Sequence, residues 1–304
     1  MIQSPLVTIA IPAYKAGHLH ESLASALSQT YENIEVVVVN DQSPEDVATV
    51  VASFNDSRIR YFENAQNVGR EDPSKNWNEC LQQARGEWFC LLCDDDVYDA
   101  RFVEELLQVS ERYPKCDVLR SGVVVIDCED HEVSTYPESP EFETMEQYMW
   151  DFFHSRRRQT ISEFMLRRSA MEEAGGYVNL PYAWGSDNLS IFRFGLKNGI
   201  ASTSLRLMTF RDSGMNISSD GKHMDVKLEA FRQYINQTKE IVSREGFRHA
   251  LLPVLDDYYQ RAAVAHMREA SAEDLRTIVR RHRAYGISHR RVLKALLKRW
   301  LSSH

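Results

Sequence analysis

Over the first hundred residues, runs that are apolar almost throughout alternate with runs whose apolar residues recur at helical spacing. VTIAIPAY (7–14), IEVVVVN (34–40) and EWFCLLC (87–93) are such apolar runs and read as strands, and the more mixed RIRYFEN (58–64) reads as a strand too. HLHESLASALSQ (18–29), PEDVATVVASF (44–54), SKNWNECLQQA (74–84) and DARFVEELLQVSERY (99–113) read as helices between and after them. Strands buried on both faces carry few polar residues, and intervening helices imply right-handed crossovers. The pattern therefore predicts an α/β fold with a mostly parallel, Rossmann-like sheet and flanking helices. DVLRSGVVVIDCED (117–130) adds a strand, an acidic irregular segment follows, and a less regular middle region runs to about residue 220. Helical patterns fill the rest, and no internal repeat is present.

In a sheet wound this way, ligands bind beyond the carboxyl ends of the strands, where strand order reverses. With strands two and three on one side of strand one and strand four on the other, that crevice lies between IPAYK and CDDDVY. Asp94, Asp95 and Asp96 thus fall at the expected ligand site. Adjacent carboxylates repel, and burying one unpaired is costly. A divalent ion, Mg²⁺ or Mn²⁺, prefers carboxylate oxygens and commonly bridges substrate phosphates. The other reading is a helix N-terminus, where acids favour the dipole. Asn40-Asp41-Gln42-Ser43, ending strand two, suits hydrogen bonds to a base or ribose, or a turn before a helix. Gly69, Arg70 and Lys75, in the loop after strand three, suit phosphate contact or an exposed loop.

Composition narrows the classes. The chain has 304 residues, 43% apolar, and a net charge of −8. Nine Lys and Arg and no acid occur from Leu275 onward, leaving 27 basic against 44 acidic residues before it. That acidic body argues against nucleic-acid binding. No run reaches the roughly 20 apolar residues of a spanning helix, and the first residues lack a basic stretch before their apolar part. Five cysteines, an odd number, suit a reducing compartment, so a cytoplasmic location is expected. CLLC (90–93) has redox or zinc spacing, but on a strand its two cysteines face opposite sides.

Taken together, IAIPAYKAGHLHESLASALSQTYENIEVVVVNDQSPEDV, NVGR…SKNWN, GEWFCLLCDDDVYDARF, FMLRRSAMEEAGGY, WGSDNLSIFRFGLKNG and FRDSGMNIS resemble glycosyltransferase family 2, the inverting GT-A nucleotide-sugar transferases. The resemblance spans roughly residues 5–220. It implies an enzyme that moves a sugar from a nucleotide-diphosphate donor, UDP-linked by expectation, to a glycan or lipid-linked acceptor in envelope polysaccharide or lipopolysaccharide synthesis. It implies a GT-A domain over 1–222, with 1–98 binding nucleotide sugar and 99–222 binding acceptor, and a helical extension over 223–304. Pro12, Ala13 and Tyr14 match the segment lining the nucleoside pocket, and Asn40 and Asp41 match the base or ribose contacts. Lys75 stands where relatives carry Arg, giving a point charge in place of a fork. Asp94 and Asp95 match donor contacts within the DxD region, which also supplies the metal ligands Asp95 and Asp96, with Asp94 and His223 as further candidates. Cys93 takes the place of that motif's first Asp. Asp187 matches the catalytic base, although Ser186 replaces the usual Glu before it; read alone, GSDN suits a helix cap. Relatives often carry a His where this chain has Ser213. Arg211 is a candidate for the leaving phosphate, and Gly176, Tyr177 and Trp184 for the acceptor side.

Two other classes remain in play. One is a non-catalytic nucleotide-sugar-binding or scaffold protein on this fold. The other is a sugar-nucleotide pyrophosphorylase, disfavoured because IPAYKAG is no Gly-rich phosphate loop. In SHRRVLKALLKRWLSSH (288–304), Val292, Leu293, Leu296, Leu297, Trp300 and Leu301 form one helical stripe, with Arg290, Arg291, Lys294, Lys298 and Arg299 largely off it. Such a helix either lies on the inner face of an anionic membrane or packs on the protein's own acidic body.

Overall fold

The computed structural model describes residues 4–212, 223–270 and 272–302. They form two compact units, one of residues 1–179 with 190–213 and one of residues 180–189 with 214–304. The expected boundary at 222 lies outside the described residues. The structure groups 180–189 with the C-terminal helices instead of the sheet.

The first unit opens β1 (Val7–Ala13), α1 (Leu19–Leu27), β2 (Ile34–Asn40), α2 (Val47–Ala52), β3 (Ile59–Glu63), α3 (Ser74–Gln83) and β4 (Trp88–Leu91). These match the alternation in the sequence closely. It continues through β5 (Val97–Tyr98), α4 (Phe102–Arg112), β6 (Val118–Ile126), β7 (Glu132–Thr135), β8 (Phe142–Glu143), α5 (Met145–Phe153), β9 (Phe164–Arg167) and α6 (Arg168–Glu173). Then come α7 (Ser186–Phe194), which begins in the second unit, and β10 (Ile200–Arg211). The sheet runs β3-β2-β1-β4-β9-β6-β10-β5, with β7 on β6 and β8 on β10. β3, β2, β1 and β4 are parallel, so strand order reverses between β1 and β4, as the hydrophobic runs predict.

Beyond β4 the sheet is mixed. β9 is antiparallel to both neighbours, Leu166 pairing with Phe89 on one side and Val118 on the other. β6 and β10 are parallel to each other, with irregular register between Ser202 and Met208. β2 is buried at every position, including Glu35, whose carboxylate accepts the Thr8 hydroxyl (2.6 Å) and the Arg85 N–H (2.6 Å) and pairs with Arg60 (2.8 Å).

A second buried pair pins the middle region. Arg120 on β6 is 2% exposed and donates through Nε to Glu163 (2.5 Å), which is fully buried. Glu163 also accepts the Thr160 N–H at 3.1 Å, while Arg120 reaches the Ser139 hydroxyl at 2.8 Å and the Arg158 carbonyl. Removing one partner of such a pair leaves a buried charge uncompensated. Glu163→Ala should therefore cost about 3–5 kcal/mol in urea unfolding; a loss below about 1 kcal/mol, the scale of a surface pair, would contradict this role.

The second unit carries α8 (Met224–Arg244), α9 (Leu251–Glu269), α10 (Ala272–Arg281) and α11 (His289–Ser302). α8 buries Leu228, Phe231, Tyr234 and Ile235 along one face, the helical spacing of a core-facing stripe.

Candidate active site

The acid triplet sits in the turn just past β4, beside the end of β1, and its three carboxylates have different surroundings. Asp94 is 8% exposed, and its Oδ2 accepts the backbone N–H groups of both Tyr14 and Lys15 at 2.7 Å, clamping the loop after β1. Asp95 lies 3.7 Å from the Lys15 ammonium. Asp96 is 1% exposed; it accepts the Ser162 hydroxyl at 2.6 Å and the Arg211 N–H at 3.2 Å. Ser162 also accepts the Cys93 N–H, so one buried hydroxyl ties down both sides of the turn.

Burial pushes the Asp94 carboxyl up to about 6, with the Asp95 charge adding to it and the Lys15 and Tyr14 N–H groups and Lys15 ammonium opposing. Burial, then Asp95, drives Asp96 well above the usual carboxylate range. Among the described residues, no three His, Cys, Asp or Glu side chains converge as a ready-made metal cage. What the turn does hold is buried negative charge faced by one half-exposed lysine. That donor set fits a hard divalent ion completed by substrate phosphates, the way Mg²⁺ is usually bound.

Arg211 ends β10 against this turn. Its guanidinium donates to the Asp95 carbonyl (3.2 Å), to Glu21 on α1 (2.8 Å) and to Asp130, and it is 2% exposed. Sequence reasoning offered it to a leaving phosphate; the structure shows it joining four segments around the turn. Ser162 and Glu21 carry no signal in the linear sequence, whereas Lys15 is the last residue of the motif IPAYK.

The neighbouring strand ends form a second network. Pro12 and Ala13 pair with Val39 and Asn40, and the Ala13 carbonyl accepts the Asp41 N–H at 3.0 Å. Tyr14 is exposed. Asn40 accepts the Ser43 N–H and donates to the Tyr61 hydroxyl, both at 2.9 Å. Asp41 accepts Asn64 Nδ2 (2.8 Å) and the N–H groups of Val68 (2.9 Å) and Gly69 (2.7 Å). A Cβ on Gly69 would lie 2.7 Å from an Asp41 oxygen, so only glycine permits this approach. The buried Asn40 and Asp41 thus shape the loop, while Arg70 and Lys75 point outward. Lys75 lines a cavity of about 570 Å³ with Val68, Asn78, Glu79, Gly176 and Asn179. Asn78 bridges to both the N–H and the carbonyl of Tyr177, whose ring is buried against Trp77, Phe89 and Phe194.

Asp187 lies in the second unit, on the first turn of α7. Burial raises its carboxyl to about 6, opposed by the N–H groups of Asn188 and Asp187 itself. The loop before it is wound tightly: Tyr182, Ala183 and Gly185 all have positive φ (57°, 52° and 89°). A Cβ on Gly185 would meet the Tyr234 ring at 2.7 Å. Beneath the loop, the buried Lys227 of α8 places its ammonium 4.9 Å from the Trp184 ring centre and 5.9 Å from that of Tyr182. His223 stacks on Tyr182 (5.3 Å, 16°), and Trp184 meets His266 edge-on. Ser186 is fully buried and accepts the Leu180 N–H at 3.1 Å. Ser213 lies outside the described residues.

The family model of glycosyl transferase family 2 matches residues 8–175, more than half of the chain. The chain belongs to that family. An uncharacterized glycosyltransferase of Rickettsia typhi is 33% identical over 132 residues, 43% of this chain and 40% of that protein. The Escherichia coli UDP-Glc:alpha-D-GlcNAc-diphosphoundecaprenol beta-1,3-glucosyltransferase WfgD is 35% identical over 106 residues, 34% of this chain and 40% of that protein. The chain thus spans under half the length of these relatives. Residues 1–349 of S. aureus TarS, crystallised with UDP-GlcNAc, superpose with a TM-score of 0.67 at 16% identity, over 93% of this chain and 88% of that one. That likeness shows a shared fold.

The Asp94 environment makes a testable stability claim. Its folded carboxyl, at about 6, lies above an unfolded value of about 3.9. The folded state therefore holds the proton more tightly, and stability falls as pH rises from about 4 to about 6. Asn in its place keeps an oxygen acceptor for Tyr14 and Lys15 without that dependence. In EDTA, Asp94→Asn should gain up to about 3 kcal/mol on the wild type between pH 4 and pH 7. Urea unfolding at both pH values checks it, and an unchanged difference refutes it.

Proposed function

We propose that this chain is an inverting glycosyltransferase that moves a sugar from a UDP-linked donor to a hydroxyl of a glycan or lipid-linked acceptor. The observation that carries this reading is the buried acid turn at the β1–β4 switch point of a family 2 fold, short of positive charge. A UDP donor is supported by the WfgD name and by the UDP-GlcNAc complex of TarS. The diphosphoundecaprenol acceptor in the WfgD name supports a lipid-linked acceptor, and with such an acceptor the chain would work at the inner face of the cytoplasmic membrane. Among the described residues, no helix is long and apolar enough to cross a membrane.

In this reading Pro12, Ala13 and Tyr14 line the nucleoside pocket, and Asn40 and Asp41 shape its floor. Arg70 and Lys75 lie at its phosphate side. Asp95 is the leading metal ligand, since Asp94 and Asp96 already accept two hydrogen bonds each; Asp96 and Asp94 are the further candidates. A bound Mg²⁺ or Mn²⁺ supplies charge stabilisation for the departing diphosphate. His223 is carried as a further candidate ligand. Gly176, Tyr177 and Trp184 belong to the acceptor side, Tyr177 as a buried support. Arg211 positions Asp95 and Asp96, with no direct phosphate contact needed.

Asp187 is the proposed base. The acceptor oxygen attacks the anomeric carbon, the bond from that carbon to the diphosphate oxygen breaks, and the hydroxyl proton passes to the Asp187 carboxylate. With its carboxyl at about 6, Asp187 is mostly ionised at pH 7 and loses base function as pH falls through that value. Turnover with UDP-sugars and Mn²⁺ should show an acid limb near pH 6. Asp187→Asn should lower kcat about 10²–10⁴-fold with donor KM little changed. Near-wild-type turnover in that variant removes Asp187 from the role; activity and UDP affinity unaffected by EDTA remove the metal.

A non-catalytic role has one observation on its side: Ser186, where relatives carry Glu, is committed to holding the Leu180 N–H. The absence of transfer or hydrolysis across a panel of nucleotide sugars, with UDP still bound, would select it.

A further inference from the structure

The C-terminal helix divides its apolar stripe in two. Val292 (2% exposed) and Ala295 (1%) are buried where α11 packs on α9, and Arg291 pairs with Asp257 of α9 at 3.0 Å. Leu293, Leu297, Trp300 and Leu301 are instead 54–60% exposed. Of the eight large apolar side chains left exposed among the described residues, these make four, all on one helix. Scattered exposed apolar residues need no explanation, but a contiguous group marks an interaction surface.

Charge tells what that surface meets. Leu293, Leu297 and Leu301 form one i, i+4 row, and Arg290, Lys294 and Lys298 form the adjoining row, also exposed. No Asp or Glu occurs anywhere from Leu275 to the end of the chain. A second copy of the same face would set like charges against each other. An acidic lipid surface complements both rows at once, taking the leucines and the indole into its interface and the cations at its headgroups. The helix needs no folding on contact, because its inner side is already packed.

We propose that the Leu293–Leu297–Trp300–Leu301 face of α11 is a docking surface for anionic lipid bilayers, bordered by Arg290, Lys294 and Lys298. This deepens the inner-face reading, yet it is measured without donor or acceptor, so its failure leaves the transfer chemistry standing and the reverse also holds. The two expectations of the sequence are reconciled: the helix packs on the protein by one side and presents the other.

The test is flotation of the full chain with vesicles of mixed phosphatidylglycerol and phosphatidylethanolamine, against vesicles of phosphatidylcholine alone. The chain should float with the anionic vesicles and much less with the neutral ones, and binding should weaken as salt rises. Leu297→Gln with Trp300→Gln, both at exposed positions, should abolish flotation while leaving the far-UV spectrum and unfolding midpoint unchanged. Lys294→Gln with Lys298→Gln should lower the partition coefficient about 30-fold at low salt. Absence of flotation with either vesicle overturns the proposal. So does a chain that is dimeric in solution and becomes monomeric on Leu297→Gln with Trp300→Gln without ever binding vesicles, since the face would then belong to a second copy.

Discussion

The arrangement of the first unit turns on how three consecutive carboxylates are kept at the end of a buried strand. They are held mainly by neutral donors. Two backbone N–H groups hold Asp94, a serine hydroxyl and another N–H hold Asp96, and Asp95 alone faces an ammonium. Neutral donors satisfy the oxygens but cancel no charge, so burial lifts Asp94 and Asp96 out of the ordinary carboxylate range. The turn is thereby fixed in place; Asp94, at about 6, is still mostly ionised at pH 7, whereas Asp96 favours its protonated form. On the proposed function, a cation arriving with a diphosphate would meet the negative charge that remains. A resident arginine over the carboxylates would neutralise it. Arg211 is close by, yet its guanidinium meets the Asp95 carbonyl and spends its charge on Glu21 and Asp130.

How much of this was legible in the sequence follows from where each interaction sits along the chain. β1, β2 and β4 announce themselves because a parallel strand buried on both faces must be apolar at nearly every position, and IEVVVVN leaves little else to read; β3, at the edge of the sheet, is half-buried and mixes polar with apolar residues. The reversal between β1 and β4 follows from that alternation. β9 falls within the irregular middle region of the sequence: FMLR is too short to show a period, and its place between β4 and β6 is set by pairing on both edges. The partners of the acid turn were hidden for the same reason. Ser162 lies 66 residues from Asp96 and Arg211 lies 115 away, distances at which no local pattern operates. Motif order singles out Asp94 and Asp41, but not that each uses its carboxylate to hold a backbone loop.

The second unit is more than an appendage to the sheet. The loop that presents Asp187 belongs with the C-terminal helices and is seated on α8. Gly185 fits closely against Tyr234, and Lys227 lies beneath the rings of Trp184 and Tyr182. A lysine ammonium under an indole face is a strong cation–π contact when desolvated, and it helps hold a loop whose two left-handed non-glycine residues, Tyr182 and Ala183, are otherwise unfavourable. His266 beside them is pushed down to about 4 by burial and then by Lys227, so it stays neutral at pH 7 and adds no second positive charge. Asp187, the proposed base, and the helices that support its loop therefore belong to one structural unit, and the same unit carries the exposed apolar face of α11.

Ser186 can be understood on the same electrostatic grounds. The family resemblance places a glutamate before the base, and its replacement looks at first like a lost function. Yet burial alone already lifts Asp187 to about 6. A second carboxylate on the adjacent residue would repel it and raise it further, unless a cation were recruited to balance the pair. A fully buried serine that holds the Leu180 N–H keeps the loop closed without adding charge. The single acid then titrates just below neutral pH, where a general base combines adequate ionisation with useful proton affinity. On the proposed role of Asp187, the departure from the family pattern leaves a single acid, and its loop is held by Gly185, Tyr234 and Lys227.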